Sequence, residues 1–408
     1  MAAAYENENI PQSSAEKSER KTGLKDKIKN FKRIKWFAKR GPLDVTFLTL
    51  VLLLMAFGLV MLFSASYANA RYNYGDSFHF IKDQIVFAVV GVVGMLVISF
   101  IDYRVLNRYA FAVYLLAIVL LIIALILPPV KGDFHRWINL RYFGLRGTFQ
   151  PSEIAKFAIV LLYARLIAAY GEKMKTFKYG VVPFLITFGI IAVLMLLEPH
   201  VSGTVLIFTL AAIMMFVGGT RFRWFGLAAA AAAVAVGIFL IMPGGLSYAR
   251  ERIDIWLDPY VDPQGDGFQT IQSLIAIGSG GIMGKGLGDS RQKYLYIPEP
   301  QNDFIFAVVC EELGFVGATI IIILFALLVW RGFIIAMRAK DKFGSMLAVG
   351  LTMQVGIQTL LNIAVVTNTV PNTGISLPFF SYGGTALLML LFQMGVVLSI
   401  SREARIDK

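Results

Sequence analysis

Asp303 stands where chemistry is easiest to place in this chain. It closes a polar stretch rich in glycines and cations, and the apolar run FIFAVV follows it directly. An acid at such a border has two physical uses. It can cap a helix by accepting an orphan N–H. It can also act as a general base, since an apolar wall raises a carboxyl pKa and nearby cations can hold a leaving group. Residues 243–303 carry Arg250, Arg252, Lys285, Arg291 and Lys293, and an earlier loop carries Arg136, Arg141 and Arg146. Arg grips phosphate oxygens in a forked geometry and Lys acts as a point charge, so the set suits a phosphate or diphosphate. Any one of these cations, taken alone, is more simply a solvated charge.

Further polar groups interrupt apolar runs. Glu153 and Lys156 are three apart and share a helix face. Gln354, Gln358 and Asn362 are spaced by four and form one stripe, and Gln393 adds another amide. Glu311 and Glu312 follow Asp303 by about two turns. At 3.6 residues per turn Glu311 is rotated by roughly 80° from Asp303 and Glu312 by roughly 180°, so Glu311 is expected to share a cavity with Asp303. The amides read first as glue between helices. Ionisable groups at membrane depth point to function. The glycines at 278, 280, 281, 284, 286 and 288 allow close backbone approach, but no strand precedes them and no Gly-Lys-Ser/Thr follows, so they make no nucleotide loop. Zinc-ligand spacing and a nucleophile elbow are missing. His79, His135 and His200 fall in separate loops, a poor basis for a metal site.

The elements that must position these groups are membrane helices. The chain has 408 residues, 57% hydrophobic, with a mean hydropathy of +0.69. This composition predicts an all-α polytopic membrane protein. A net charge of +12 does not signal nucleic acid, because 11 of the 38 Lys and Arg lie in the first 40 residues and most others flank apolar runs. Ten spans are expected, at 44–66, 82–101, 109–127, 153–170, 181–197, 203–218, 225–242, 304–330, 345–366 and 379–400. Residues 1–43 read as a largely disordered basic tail without the apolar core of a cleavable signal, 44–400 as the helical domain and 401–408 as a short tail. With the N-terminus inside, the inner connections and C-terminal tail hold 14 Lys and Arg, while 198–202 and 367–377 hold none. Both termini are therefore expected in the cytoplasm. The outer side then carries loop 128–152 and a large loop, 243–303, between helices seven and eight. Within it, 268–283 reads as a short amphipathic or re-entrant helix, tolerated only if buried or lining a polar cavity. Cys310 is the sole cysteine, so no internal disulfide forms.

Four motifs carry a family resemblance. The stretch QSLIAIGSGG…GKGLGDSRQKYLYIPEPQNDFIFAVVCEELGF (from Gln272), HRWINL at 135–140, FQPSEIAK at 149–156 and VPNTGISLPFFSYGG at 370–384 resemble the SEDS family of shape, elongation, division and sporulation proteins. The compact form of GLGDSRQKYLYIPE is most similar to the division and sporulation members, FtsW and SpoVE, rather than the rod-elongation type. The resemblance implies a ten-helix fold and a peptidoglycan glycosyltransferase that polymerises lipid II, as donor and acceptor, at the outer face of the cytoplasmic membrane. It implies Asp303 as the catalytic aspartate, acting as base, with Trp137, Gln150, Ser152, Glu153, Lys156, Gln272, Glu311 and Ser381 as substrate-site residues. Arg136, Arg252, Lys285, Arg291 and Lys293 are the candidates for the diphosphate, with a divalent cation such as Mg or Mn as a possible aid and no organic cofactor. Arg141 and Arg146 are set aside, because extra residues surround them. Two departures stand out. Gln301-Asn302-Asp303 replaces the family's His-Thr-Asp, and Glu198-Pro199-His200 replaces Glu-Pro-Asp. The implied partners are a class B penicillin-binding protein and other division proteins. The competing expectation is a lipid II flippase, and a third is a scaffold.

Overall fold

A computed structural model describes residues 41–129, 135–139, 148–230, 253–265 and 267–404. Its helices are α1 (Val45–Tyr74), α2 (His79–Phe100), α3 (Tyr103–Ile126), α4 (Pro151–Tyr170), α5 (Val182–Leu197), α6 (Val201–Gly218), α7 (Phe268–Gly280), α8 (Ile305–Met337), α9 (Lys342–Val366) and α10 (Gly384–Ser401). Among the described residues nine helices are long and apolar enough to cross a membrane: all of these except α7, with the turn at Phe177–Gly180 extending α5. The chain is an integral membrane protein. The expected span at 225–242 lies mostly outside the described residues. Residues 222–230 are helical, and the chain reappears at Ile253 on the opposite face, where Trp256 and Asn368 exchange hydrogen bonds of 3.1 and 2.9 Å.

The packing inverts the pattern of a water-soluble bundle. On α2 the buried positions include Gln84, Ala88, Gly91, Met95 and Ser99, while Val86, Val89, Val90, Val93 and Val97 are exposed. Small and polar residues let backbones approach, and branched apolar residues meet lipid. α10 packs on α2, α8 on α9, and α4 lies between α3 and α9. The most enclosed span positions lie on α9 and α10, and these hold the amides.

Both ends of the described chain meet on one face. Asp44 accepts from the Phe47 N–H at 2.9 Å and from Arg331 Nε at 2.9 and 3.0 Å. Arg104 bridges Asp341 at 3.0 Å and Glu403 at 2.5 Å, and the Tyr103 hydroxyl donates to Asp341 at 2.6 Å. The opposite face holds the long connections.

Helix α7 is re-entrant. Its C-terminal end lies beside the first third of α8, roughly 15 Å along that axis from Phe304 at 1.5 Å per residue. Backbone bonds fix this: the N–H groups of Phe315 and Val316 donate to Gly281 and Ile282, and those of Lys285 and Gly286 donate to Glu311 and Glu312, all at 2.9–3.1 Å. Gly314 interrupts the helical path of α8 with φ 65°. A side chain there would lie 2.2 Å from the Gly284 nitrogen, so both φ and space require glycine.

Candidate functional site

A cavity of about 510 Å3 opens on the face opposite Asp44 and Glu403. Its walls come from distant parts of the sequence. Residues Ile138–Asn139 pair antiparallel with Thr148–Phe149. This short ladder sets Arg136 and Trp137 beside Gln150, and α4 begins immediately after, at Pro151. Arg136, Trp137, Gln150, Ser152, Glu153 and Lys156 therefore reach one wall together. Asp303 and Asn302 form a second wall, His200 and Ser202 a third, and Asp83, Phe87 and Tyr382 a fourth.

Asp303 stands one residue before the cap position of α8. α8 begins at Ile305 with Phe304 at its N-cap position, and 301–304 are turn residues. Its surroundings fix the backbone that carries the acid. Asn362 Nδ2 donates to the Asp303 carbonyl and to the Ile375 carbonyl, each at 2.7 Å. The Ser381 hydroxyl donates to the Asn302 carbonyl at 2.6 Å, and the Tyr382 N–H to the Gln301 carbonyl at 2.8 Å. Gln358 holds Ser376 at 3.0 and 3.1 Å. Two of the three amides on α9 thus clamp the loop that faces Asp303. Gly374, with φ 65°, sits against the acid: a Cβ there would lie 3.1 Å from Asp303 Oδ2.

Four carboxylates, Asp83, Glu153, Glu299 and Asp303, line the cavity with two cations, Arg136 and Lys156. Lys156 pairs with Glu153 at 2.8 Å, both nearly buried. Arg136 Nη2 donates to the Pro199 carbonyl. Burial lowers the Arg136 pKa, while Asp303 and Glu198 favour its charge. Glu198 is fully buried, and neither carboxyl oxygen has a hydrogen-bond partner. Burial pushes its pKa up to about 8, against the pull of Arg136. His200 is pushed down to about 3 by burial, with Arg136 and Lys156 adding repulsion, so its ring is neutral.

Other expected site residues lie elsewhere. Glu311 does not line the cavity with Asp303. Its carboxylate is fully buried against Lys285 at 2.6 Å, Ser279 at 3.2 Å, Ser290 at 2.5 Å and the N–H groups of Arg291 and Gln292 at 3.2 Å. The helical-wheel expectation is corrected because the helix has not begun at Asp303. Lys293 is buried against Glu312 at 2.8 Å and Ser64 at 3.0 Å. Lys285 and Lys293 thus tie the re-entrant loop to α8 and do not line the cavity. Arg291 is exposed and Gln272 half-buried, both off the cavity lining. Ser381 lies behind it, lining a small side chamber of about 30 Å3 with Glu153, Gln354 and Gln358. Arg252, Arg250, Arg141 and Arg146 fall outside the described residues. Among the described residues no three His, Cys, Asp or Glu side chains gather as a metal cage.

The cavity also contains residues not selected from the sequence: Asp83, His200, Ser202, Glu299, Asn302, Gln358 and Tyr382. The departure at Glu198-Pro199-His200 was the one signal that could have pointed to His200.

These features define a helical membrane protein with a polar cavity at one end of its bundle, where an acid on a clamped backbone stands among three further carboxylates and two cations. The comparisons specify the family. A family model described as "Cell cycle protein" (FtsW, RodA, SpoVE) matches residues 44–406, and the chain belongs to that family. It is 41% identical to stage V sporulation protein E of Bacillus subtilis over 373 residues, covering 90% of this chain and 99% of that one. It is 40% identical to a probable peptidoglycan glycosyltransferase FtsW of Geobacter sulfurreducens, covering 89% and 96%. Among solved structures, a chain from work on polymerization and crosslinking by a peptidoglycan synthase complex aligns with a TM-score of 0.73 at 30% identity, covering 90% and 99%. The crystal structure of Thermus thermophilus rod shape determining protein RodA aligns at 0.65 with 23% identity, covering 90% and 98%, a likeness of fold.

Proposed function

We propose that this chain is a peptidoglycan glycosyltransferase. It joins lipid II molecules into glycan strands at the outer membrane face, with both termini in the cytoplasm. One observation carries the reading: Asp303, on a backbone clamped from two directions, faces a cavity that also holds Arg136 and Lys156. The names of the curated relatives and the aligned synthase complex point the same way.

In this mechanism the 4-hydroxyl oxygen of the acceptor's GlcNAc attacks C1 of the donor's MurNAc. The hydroxyl proton passes to the Asp303 carboxylate, and the C1–oxygen bond to the diphosphate breaks. The bonding pair leaves with undecaprenyl diphosphate. A diphosphate is a good leaving group, so no second carboxylate need protonate it as in glycosidases. General base catalysis of this kind contributes about 10²–10⁴-fold. The partner is a class B penicillin-binding protein that cross-links the strand, within the division or sporulation machinery.

The test is polymerisation of purified lipid II by the purified chain in a lipid bilayer, with and without that partner. Asp303→Asn, inserted and folded as wild type, is expected to make no glycan. Full activity in that variant would remove the base assignment. Headgroup translocation without strands would support a flippase instead. The cavity favours the enzyme, because its lining clusters at one end of the helices.

A further inference from the structure

We propose that the face carrying Asp44 and Glu403 holds a binding site for one anionic phospholipid, its phosphodiester on Lys173, Lys178, Arg221 and Arg223 and one acyl chain in an apolar slot between α5 and α6. The site lies at the other end of the bundle from the polar cavity and does not depend on the glycosyltransferase reading.

Two connections build the charged part. α4 starts at the polar cavity and so does α6, so the chain after Tyr170 and after Gly218 emerges at the far end of the bundle. The Thr220 hydroxyl donates to the Gly180 carbonyl at 3.1 Å, and the Phe177 and Trp224 rings meet with centroids 4.8 Å apart. These contacts bring the segment with Lys173, Lys175 and Lys178 against the one with Arg221 and Arg223, and all five cations are exposed. Cations at such a face commonly record topology alone. Their pairing argues for more. On the same face Arg331 is matched by Asp44, and Arg104 by Asp341 and Glu403. Of the five, only Lys175 has an acidic partner among the described residues, Glu172 at 2.5 Å. Aromatic rings steady three of the others: Arg223 lies 4.6 Å from the Trp224 ring, and Lys173 and Lys178 lie 5.5 and 5.9 Å from that of Tyr179.

The slot begins at this patch. It has a volume of about 70 Å3, and its walls include Tyr163, Phe184, Phe188, Phe208, Met215 and Trp224. From Phe208 to Met215 it follows α6 for roughly 10 Å at 1.5 Å per residue, about two-thirds of one leaflet of hydrocarbon. Leu185 and Phe208 in its wall are 49% and 52% exposed, so it opens sideways to lipid. The Tyr163 hydroxyl already donates to the Phe184 carbonyl at 2.6 Å. The Trp224 indole N–H is buried and has no acceptor. An apolar slot takes hydrocarbon in preference to water, and an orphan donor beside the cations calls for an oxygen. Cations, indole N–H and slot therefore follow one another as phosphodiester, ester carbonyl and acyl chain do in a phospholipid. Basic pockets between helices at a membrane face suit anionic headgroups.

The experiment titrates the full chain in detergent with phosphatidylglycerol, and with phosphatidylcholine of the same acyl chains, and reads bound lipid by native mass spectrometry. The wild-type chain is expected to bind phosphatidylglycerol about tenfold more tightly than phosphatidylcholine. The double variant Lys178→Gln/Arg223→Gln should lose that preference, with phosphatidylcholine binding unchanged. Trp224→Phe, which keeps a ring and removes the N–H, should weaken both lipids about threefold. Ala212→Phe, which fills the slot, should weaken both about tenfold. If Ala212→Phe fails to fold, the other two variants decide. Arg338→Gln/Lys340→Gln removes two exposed cations of the same face outside the patch, and should change nothing. Equal binding of the two lipids by wild type overturns the proposal. So does an equal loss of phosphatidylglycerol in the two double variants, which would mean a general surface charge. Displacement of phosphatidylglycerol by millimolar inorganic phosphate would overturn it too, since a phosphate held without its chains needs no slot.

Discussion

The pair Lys293–Glu312 offers the sharpest separation of scaffold from site. Lys293 Nζ lies 2.8 Å from Glu312 Oε1, with side chains 3% and 0% exposed. Ser64 Oγ sits 2.7 Å from both Glu312 oxygens, and Lys293 also donates to the Gly288 carbonyl at 2.5 Å. Removing one partner of such a pair leaves a charge buried without its counter-ion, which costs about 3–5 kcal/mol. Removing both with apolar groups of similar size is often nearly neutral. Lys293→Met and Glu312→Leu should therefore each destabilise by about 3–5 kcal/mol. The double variant should cost no more than either single one, giving a coupling of roughly 3 kcal/mol or more. Unfolding of the full chain in detergent, followed with all four proteins, measures this cycle. Lipid II polymerisation at a temperature where all are folded then asks whether Lys293 touches substrate. Additive single effects would refute the buried-pair argument. A folded double variant with no activity would return Lys293 to the substrate site.

Three other outcomes follow from the same geometry. Gly374→Ala places a methyl 3.1 Å from Asp303 Oδ2 at φ 65°, so polymerisation should fall about tenfold or more with little change in unfolding temperature; wild-type rates would show that the loop yields freely. Asn362→Leu removes both 2.7 Å donors that hold the carbonyls of Asp303 and Ile375, and should cost about 1–3 kcal/mol of stability and lower kcat more than it raises KM. Glu198→Gln tests the buried carboxyl. Its folded pKa of about 8 lies above the ordinary value near 4.5, so between these pH values the unfolded chain is ionised and the folded chain is not. Wild-type stability should fall as pH rises through that window, and the variant's advantage should grow with pH, reaching roughly 3–5 kcal/mol at pH 8; a pH-independent difference would contradict the shift.

The spans were legible because a bilayer demands long apolar runs. Their ends were less so. α1 continues through polar residues 67–74 because Gly75, in a left-handed conformation, ends it rather than the lipid border. α10 starts at Gly384 rather than 379 because Phe380 to Tyr382 turn back onto Leu377 and Gln301. At the site, Asp303, Arg136, Trp137, Glu153 and Lys156 were readable as polar residues at apolar borders, and the structure gathers them. The fate of the loop lysines was not readable. Lys285 meets Glu311 across 26 positions only because α7 re-enters and returns. His200 gave no signal by type, since a lone histidine beside a span has many uses. Its position between Glu198 and α6 is a fact of the fold.

Satisfaction of polar groups separates the two buried systems of this protein. Around Glu311 and Glu312 each carboxylate meets a lysine and at least one hydroxyl, and Glu311 also accepts two backbone N–H groups. Groups so matched have no capacity left for a substrate, and their strength lies in holding the re-entrant loop. Around the cavity the pattern reverses: Ser152 Oγ, His200 Nδ1 and both Glu198 oxygens are buried and unmatched. Asp303 lines that cavity, its backbone fixed by neutral amide and hydroxyl donors that do not titrate. On the mechanism proposed above, a base held this way would keep its place as the charge beside it changes, which a cycle that brings in and releases a diphosphate requires.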